Sequence, residues 1–313
     1  MNVIRYKYIF LTISWLAVFI SIAAIAIWGL SLGIDFTGGS LLEVEYTGAR
    51  PEIANVKKAL EDLGLDSVIA QPTSERGILM RFKTINEEMH QRILLRLSAD
   101  VTPGSGAKDA KQGLIERRFD TIGATVGSEL ANRSVISLLL ASAAIIAYIA
   151  WAFRKVSKPV SSWKYGVAAV VALIHDVTIP AGVFAVLGHF QGVEVDSLFI
   201  TALLTIMGFS VHDTIVVFDR TRENLRAMKT PQSFDAIVNR SINETITRSI
   251  NTSCTVLLVL AMIYVFGGVT VQHFALALIL GIAFGTYSSI FVASPLLVVW
   301  NNFSQRKKSK SKA

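Results

Sequence analysis

Asp213 is the one residue in Ser197–Phe218, SLFITALLTIMGFSVHDTIVVF, that carries charge at neutral pH. The stretch is long enough to cross a bilayer. An aspartate at the centre of such a helix costs roughly 2.5–3.5 kcal/mol on insertion scales, so it is kept for ion or proton work or is paired for structure. A second apolar stretch carries a similar string: LIHDVTI at Leu173–Ile179 against SVHDTIV at Ser210–Val216. His212, His175 and Asp176 are therefore accessory intramembrane polar candidates, each more weakly supported than Asp213. The two stretches run in opposite directions, which puts the His-Asp pairs at different depths and leaves a transporter-type repeat unestablished. A His/Asp metal site lacks a third and fourth ligand at suitable spacing, and no metal is expected.

Depth supplies a partner. Counted from Ser197 at 1.5 Å per residue, Asp213 lies roughly 24 Å into its span, in the inner half. If the next helix starts near Arg240, Arg248 lies roughly 12 Å along it, also in the inner half. A carboxylate and a guanidinium so placed can exchange between a closed ion pair and a protonated, released state. That is the minimum apparatus for coupling proton passage to helix movement. Structural alternatives stand beside it. Arg248 follows Glu244 by four residues and could pair along its own helix, or snorkel to the inner surface. Asp213 could bond a neighbouring helix for structure alone.

The elements that must position these groups follow from composition. The chain has 313 residues, 52% hydrophobic and 17% charged, with a mean hydropathy of +0.51; soluble domains carry about 25% charge. Six apolar runs qualify as spans: Tyr8–Leu32, Val135–Phe153, Tyr165–Leu187, Ser197–Phe218, Ser249–Phe266 and His273–Trp300. The first is longer than a signal-peptide core and is not expected to be removed. The single Cys254 falls in a span and excludes a disulfide framework. The net charge of +7 follows topology and predicts no nucleic-acid partner. Basic residues cluster at Arg5 and Lys7, at Arg154, Lys155, Lys158 and Lys164, at Arg220, Arg222, Arg226, Lys229 and Arg240, and in a tail with Arg306, Lys307, Lys308, Lys310 and Lys312. The loops His189–Asp196 and Gly267–Gln272 hold no Lys or Arg. By the positive-inside rule both termini are cytoplasmic, and the tail rests beside membrane lipid.

These limits divide the chain into residues 1–34, the cytoplasmic start and first helix; 35–133, an external domain; 134–304, helices two to six, with an inner segment at 219–248; and 305–313, the basic tail. In the external domain Leu41–Tyr46, Ser67–Gln71, Ile78–Lys83 and Leu114–Val126 read as strands. Pro51–Leu63 and Asn86–Leu97 read as helices, and Val101–Gly113 as a loop. That order, β-α-β-β-α-β, predicts a small α+β ferredoxin-like domain beside six transmembrane helices. On the inner side Thr230-Pro231 breaks the segment and Ser233 caps a helix whose apolar face is Phe234, Ile237, Val238, Ser241, Ile242 and Thr245. An amphipathic helix on the membrane surface fits this; a helix running straight into span five competes.

Other motifs are structural. Gly33-Ile34-Asp35-Phe36-Thr37-Gly38-Gly39-Ser40 allows a tight backbone after span one, with Gly33, Asp35, Gly38 and Gly39 as its core. Asp219, Arg220, Glu223 and Asn224 pack charge where span four ends. Gly281–Gly285 is a small-xxx-small pattern for close helix packing, extended by Thr286, Ser288 and Ser289. Nothing reads as a nucleophile–base pair or a phosphate cradle, so the chain is not expected to be an enzyme or to hold a cofactor.

GIDFTGGS at Gly33–Ser40, VGSEL at Val126–Leu130, HDTIVVFDRTREN at His212–Asn224, NETITRSINTS at Asn243–Ser253, YVFGG at Tyr264–Gly268 and GTYSSIFVASPLL at Gly285–Leu297 together resemble the SecF subunits of the bacterial Sec protein translocase, in the SecD/SecF family of the RND-type superfamily. Two positions depart from the family pattern: Ala124 where Pro is common and Ser249 where Thr is common. The resemblance implies an inner-membrane accessory subunit. It would pair with SecD, associate with the SecYEG channel and its insertion factors, and use the proton gradient as energy source to promote export of unfolded preprotein. It implies that Asp213 and Arg248 serve proton passage and that the external domain is periplasmic. The alternative is half of an RND-type small-molecule or lipid transporter, which would need a second six-span half.

Overall fold

A computed structural model describes residues 2–65, 68–99, 113–152, 162–227 and 232–310. The expected loop at 101–112, Ser67, Arg154, Lys155, Lys158, Lys229, the Thr230-Pro231 break and Lys312 lie outside the described residues, as do the side chains of 306–310. In chain order the elements are α1 (Lys7–Trp28), α2 (Ile34–Thr37), β1 (Gly39–Tyr46), α3 (Ile53–Glu61), β2 (Ile69–Pro72), β3 (Gly77–Phe82), α4 (Glu87–Ala99), β4 (Leu114–Ile122), α5 (Ala124–Ala152), α6 (Ser162–Gln191), α7 (Ser197–Ala227), α8 (Phe234–Phe266), α9 (Val269–Ser288), a π turn (Ser289–Ala293) and α10 (Ser294–Lys310). They form two units, Leu32–Val135 and Met1–Ser31 with Ile136–Ala313.

Six helical stretches are long and apolar enough to cross a membrane among the described residues: Ile4–Trp28, Ala124–Ala152, Trp163–Gln191, Ser197–Ala227, Phe234–Phe266 and Val271–Gln305. In the helical unit, α6, α7 and the α9–α10 span are the most buried. The apolar outer faces of α1 and α5, with Ile9, Leu16, Phe19, Leu139, Leu140 and Trp151, are exposed, as lipid-facing surface must be. The core joins Tyr165, Ala168 and Ala172 of α6 to Val217 and Phe218 of α7 and Leu297 and Val298 of α10. Tyr165 and Phe218 meet edge to face at 5.2 Å.

The inner segment differs from the surface-helix expectation. Residues to Ala227 extend α7, and Phe234–Phe266 is one uninterrupted helix capped by the Ser233 hydroxyl, which accepts from the Ala236 N–H at 3.3 Å. The face Phe234, Ile237, Val238, Ser241, Ile242 and Thr245 is buried inside the protein. Periodicity found the face correctly, but packing against α7, α10 and the chain's first residues replaces contact with lipid.

The last span changes register midway. Its π turn leaves the Ser289 carbonyl accepting from Ser294 Oγ at 3.1 Å. Beyond it, α10 sets Trp300 edge-on to Trp163 at 4.8 Å, Asn302 Nδ2 on the Asp235 carboxylate at 3.1 Å, and Ser304 Oγ within 2.6 Å of Lys164 Nζ.

The α+β unit has the β-α-β-β-α-β order and one antiparallel sheet, β2-β3-β1-β4. Its core is Leu42, Val44 and Tyr46 of β1, Ile78, Met80 and Phe82 of β3, Val56 and Leu60 of α3, and Ile93 and Leu97 of α4. The fourth strand ends at Ile122, and Ala124–Val126 open α5 instead of extending it. The glycine motif explains the early stop. Gly38 (φ 74°) and Gly39 (φ 129°) lie in the left-handed region. A Cβ on Gly38 would fall 2.6 Å from Ala124 Cα, and one on Gly127 would fall 2.8 Å from Gly38 N. The chain must turn into a helix there for the two backbones to abut.

Candidate functional site

The site depends on how closely α9 approaches α7. Gly281 faces Ile206, and Gly285 faces Ser210 with only 3.2 Å between the Ser210 Cβ and the place a Gly285 Cβ would occupy. The expected small-xxx-small pattern thus packs on α7 and carries the hydroxyls that follow it against the α7 carboxylate.

Asp213 is 3% exposed. Thr286 Oγ1 of α9 donates to its Oδ2 at 3.2 Å, and the Ser253 hydroxyl of α8 lies 2.5 Å from Thr286 Oγ1. Thr286 has one hydroxyl proton, so while it donates to Asp213 the Ser253 hydroxyl must be the donor to Thr286. Three helices are thereby joined through one carboxylate. Ser249 is buried next to this set.

Arg248 is placed differently from the expected facing pair. It is exposed on α8, and among the described residues no ion pair within 4.0 Å joins it to Asp213. The along-helix alternative fails as well, because Glu244 is engaged elsewhere. It accepts from Arg220 Nε at 2.7 Å, Arg240 Nε at 2.8 Å and Asn224 Nδ2 at 2.7 Å. The depth argument brought α8 to Asp213, but Ser249 and Ser253 turn toward the carboxylate while Arg248 points out of the chain. His212 is exposed too, and so are Thr201 and Thr205 below it on α7 and Asn251, Thr252 and Thr255 on α8. A polar strip therefore lies on the exposed surface of α7 and α8, beside exposed Ile250 and short of the apolar 258–266 end of α8.

Asp176 is fully buried, and His175 is 4% exposed. His175 Nδ1 lies 2.7 Å from Asp176 Oδ1. Asp176 Oδ2 accepts from Ser288 Oγ at 2.7 Å and from Ser210 Oγ. Ser289 Oγ lies 2.9 Å from Thr214 Oγ1. Ser210, Thr214 and Ser253 were not singled out in the sequence; the signal was a hydroxyl three residues before Asp213 and another directly after it.

The charged string at the end of α7 is a clamp and not merely a solvated boundary. Arg220 bonds Glu223 at 2.5 Å as well as Glu244. Buried Asn224 donates to Ser241 Oγ at 3.0 Å and to Glu244. Asp219 pairs only loosely with Arg222, at 3.6 Å. Gly33 precedes α2 in extended conformation, and half-buried Asp35 lies in that short helix.

Comparison with known proteins agrees with this architecture. Residues 105–303 match the family described as "Protein export membrane protein SecD/SecF, C-terminal", and residues 23–49 match the "SecD/SecF GG Motif". The chain is 43% identical to the protein translocase subunit SecF of Thermobaculum terrenum over 96% of its own length and 94% of the relative's. It is 37% identical to that of Synechocystis over 94% and 92%. The crystal structure of SecDF, a translocon-associated membrane protein from Thermus thermophilus, superposes with a TM-score of 0.81 at 30% identity, covering 96% of this chain and 39% of that one. SecDF in a super-membrane-facing form gives 0.67 at 31% identity, covering 100% and 40%. The chain thus spans about two fifths of the SecDF chains it matches. A multi-pass membrane protein of six helices with a small antiparallel sheet, it belongs to the SecF family of protein translocase subunits, with an accessory role in Sec translocation.

Proposed function

We propose that this subunit, paired with SecD in the inner membrane and working beside the SecYEG channel, uses the proton gradient to promote export of unfolded preprotein, and that it is not itself an enzyme. Asp213 binds and releases the proton. Arg248 supplies the neighbouring positive charge from the outward face of α8. Both termini are cytoplasmic and the α+β unit is periplasmic, following the basic residues. The observation that carries the reading is the buried Asp213 carboxylate held by Thr286 of α9 and, through it, by Ser253 of α8. Neutralising that carboxylate removes the charge that orders this hydroxyl chain, so proton binding alters a contact among three helices. The exposed polar surface with His212, Arg248, Asn251 and Thr252 supports a second membrane half as its cover, since polar groups do not face lipid without a partner.

Export into vesicles with and without an imposed proton gradient tests this, with the chain assembled alongside its partners. Asp213→Asn and Arg248→Met are expected to assemble, to keep ATP-driven export and to lose gradient stimulation. Full stimulation in both assembled variants would refute it.

A further inference from the structure

The buried His175–Asp176 pair takes no part in the coupling scheme above, yet it is the more completely enclosed of the two carboxylate sites. We propose that it is a second proton-binding site, loaded through a small cavity between α1 and α6 and tied to Asp213 through the two helices, α7 and α9, that carry hydroxyl donors near both carboxylates. This deepens the proton-coupling reading.

Three observations support it. First, the cavity, about 70 Å³, is lined by Ser14, Trp15 and Val18 of α1, Ile174 and His175 of α6, and Val292 of the π turn. That exceeds the roughly 10–15 Å³ one water needs. Polar lining comes from Ser14, whose hydroxyl reaches the Tyr287 hydroxyl at 3.4 Å, and from His175. Second, His175 has Nδ1 committed to Asp176 at 2.7 Å. A carboxylate partner fixes the tautomer with hydrogen on Nδ1, so Nε2 is the basic nitrogen left for the cavity. A proton arriving at Nε2 makes the ring cationic; the Nδ1 proton can then pass to Asp176, leaving a neutral ring in the other tautomer and a neutral carboxyl. Third, Asp176 is tied to the elements that hold Asp213. Ser210 lies one turn before Asp213 on α7, and Ser288 lies two residues after Thr286 on α9. Ser289 and Thr214, 2.9 Å apart, add a further hydroxyl contact between the same two elements.

The groups around the pair are few. Facing α6 from α7 is Asp213, beyond Ser210. From α9 comes Tyr287, stacked on His175 at 6.3 Å. From α1 comes the Ser14 hydroxyl, the ionisable Lys7 and Tyr8 lying at its far start. The π turn, SIFVA, has no ionisable side chain, and α10 has none before its basic end. Among the described residues no lysine or arginine pairs with Asp176, so proton exchange through His175 is its route between charged and neutral states.

Infrared difference spectra of the full chain, assembled with its partner subunit in vesicles and titrated with acid, test the idea. The wild-type minus Asp176→Asn difference is expected to contain a protonated-carboxyl band that grows on acidification and persists when Asp213→Asn is also present. No titrating band in that difference would overturn the proposal. If Asp176→Asn does not assemble, His175→Gln and Ser288→Ala keep the carboxyl. Each is then expected to shift the band's position or midpoint, and no shift in either overturns the proposal. Failure of the coupling reading shows separately, as gradient-stimulated export retained by Asp213→Asn.

Discussion

Replacing Gly281 by alanine tests whether the close approach of α9 to α7 positions the site. The added Cβ would lie 2.2 Å from both Cδ1 and Cγ1 of Ile206 and 2.7 Å from its Cγ2. Carbon atoms rest about 3.5–4.0 Å apart, so the helices must separate, or Ile206 must retreat, by roughly 1.3 Å or more. Ile206 is fully buried and has nowhere to swing freely. Overpacking of this kind costs about 1–3 kcal/mol, set against about 1 kcal/mol gained from replacing a helical glycine. Gly281→Ala is therefore expected to destabilise by about 0–2 kcal/mol. Truncating the obstacle reverses the sign: in an Ile206→Ala background the new methyl enters vacated space, and the same substitution should stabilise by about 1 kcal/mol. Reversible denaturant unfolding in mixed micelles measures all four proteins of the cycle. Thr286 is five residues further along α9, and its 3.2 Å bond to Asp213 has little room to lengthen before it is lost. Gradient-stimulated export should accordingly fall in Gly281→Ala and recover in the double variant. The same sign and size for Gly281→Ala in both backgrounds would refute this account of the packing.

Further expectations concern positions away from the carboxylates. Gly38→Ala places a Cβ against the Ala124 backbone at a positive φ; it should cost about 1–3 kcal/mol in conformation alone and speed amide exchange in β1 and β4 of the full-length protein. The Asn224–Glu244 bond should give a coupling of about 1–2 kcal/mol in a double-mutant cycle of Asn224→Ala and Glu244→Gln, read by micelle unfolding. In the α+β unit, the Gln91 amide and then His90 hold the Glu87 carboxyl below the usual carboxylate range. A depressed carboxylate stabilises the fold above its unfolded value, about 4.3, and that contribution is lost as pH falls through the lower folded value. Amide exchange in the first turn of α4 should therefore quicken only at more acid pH, and Gln91→Ala should move that onset upward.

Where a pattern depends on one element alone, the sequence was readable. The spans follow from apolar length, and strands β1 and β3 from alternation around Leu42, Val44, Ile78 and Met80. The buried face Phe234 to Thr245 follows from helical spacing. What depended on two elements meeting was harder to read. The end of β4 is set by Gly38 and Gly127 touching across the chain, which no local pattern reports. The direction of Arg248 was hidden because depth fixes a level along a helix and leaves the angle around it open. Glu244 looked available to Arg248 at a spacing of four, but Arg220 and Asn224 from α7 had claimed it. The His175–Asp176 cluster looked subordinate because its hydroxyl donors, Ser210 and Ser288, come from two other helices.

The π turn at Ser289–Ala293 carries a consequence for how this chain can vary. A regular helix advances about 100° with each residue. Every side chain after Ala293 therefore owes its direction to the wide turn before it. Trp300 meets Trp163, Asn302 meets Asp235 and Ser304 meets Lys164 only in that phase. Deleting a single residue from this stretch would leave hydropathy and span length almost untouched while rotating the whole C-terminal end of the helix away from its partners. The number of residues between Gly285 and Trp300 is thus itself a constrained quantity, separate from which residues they are.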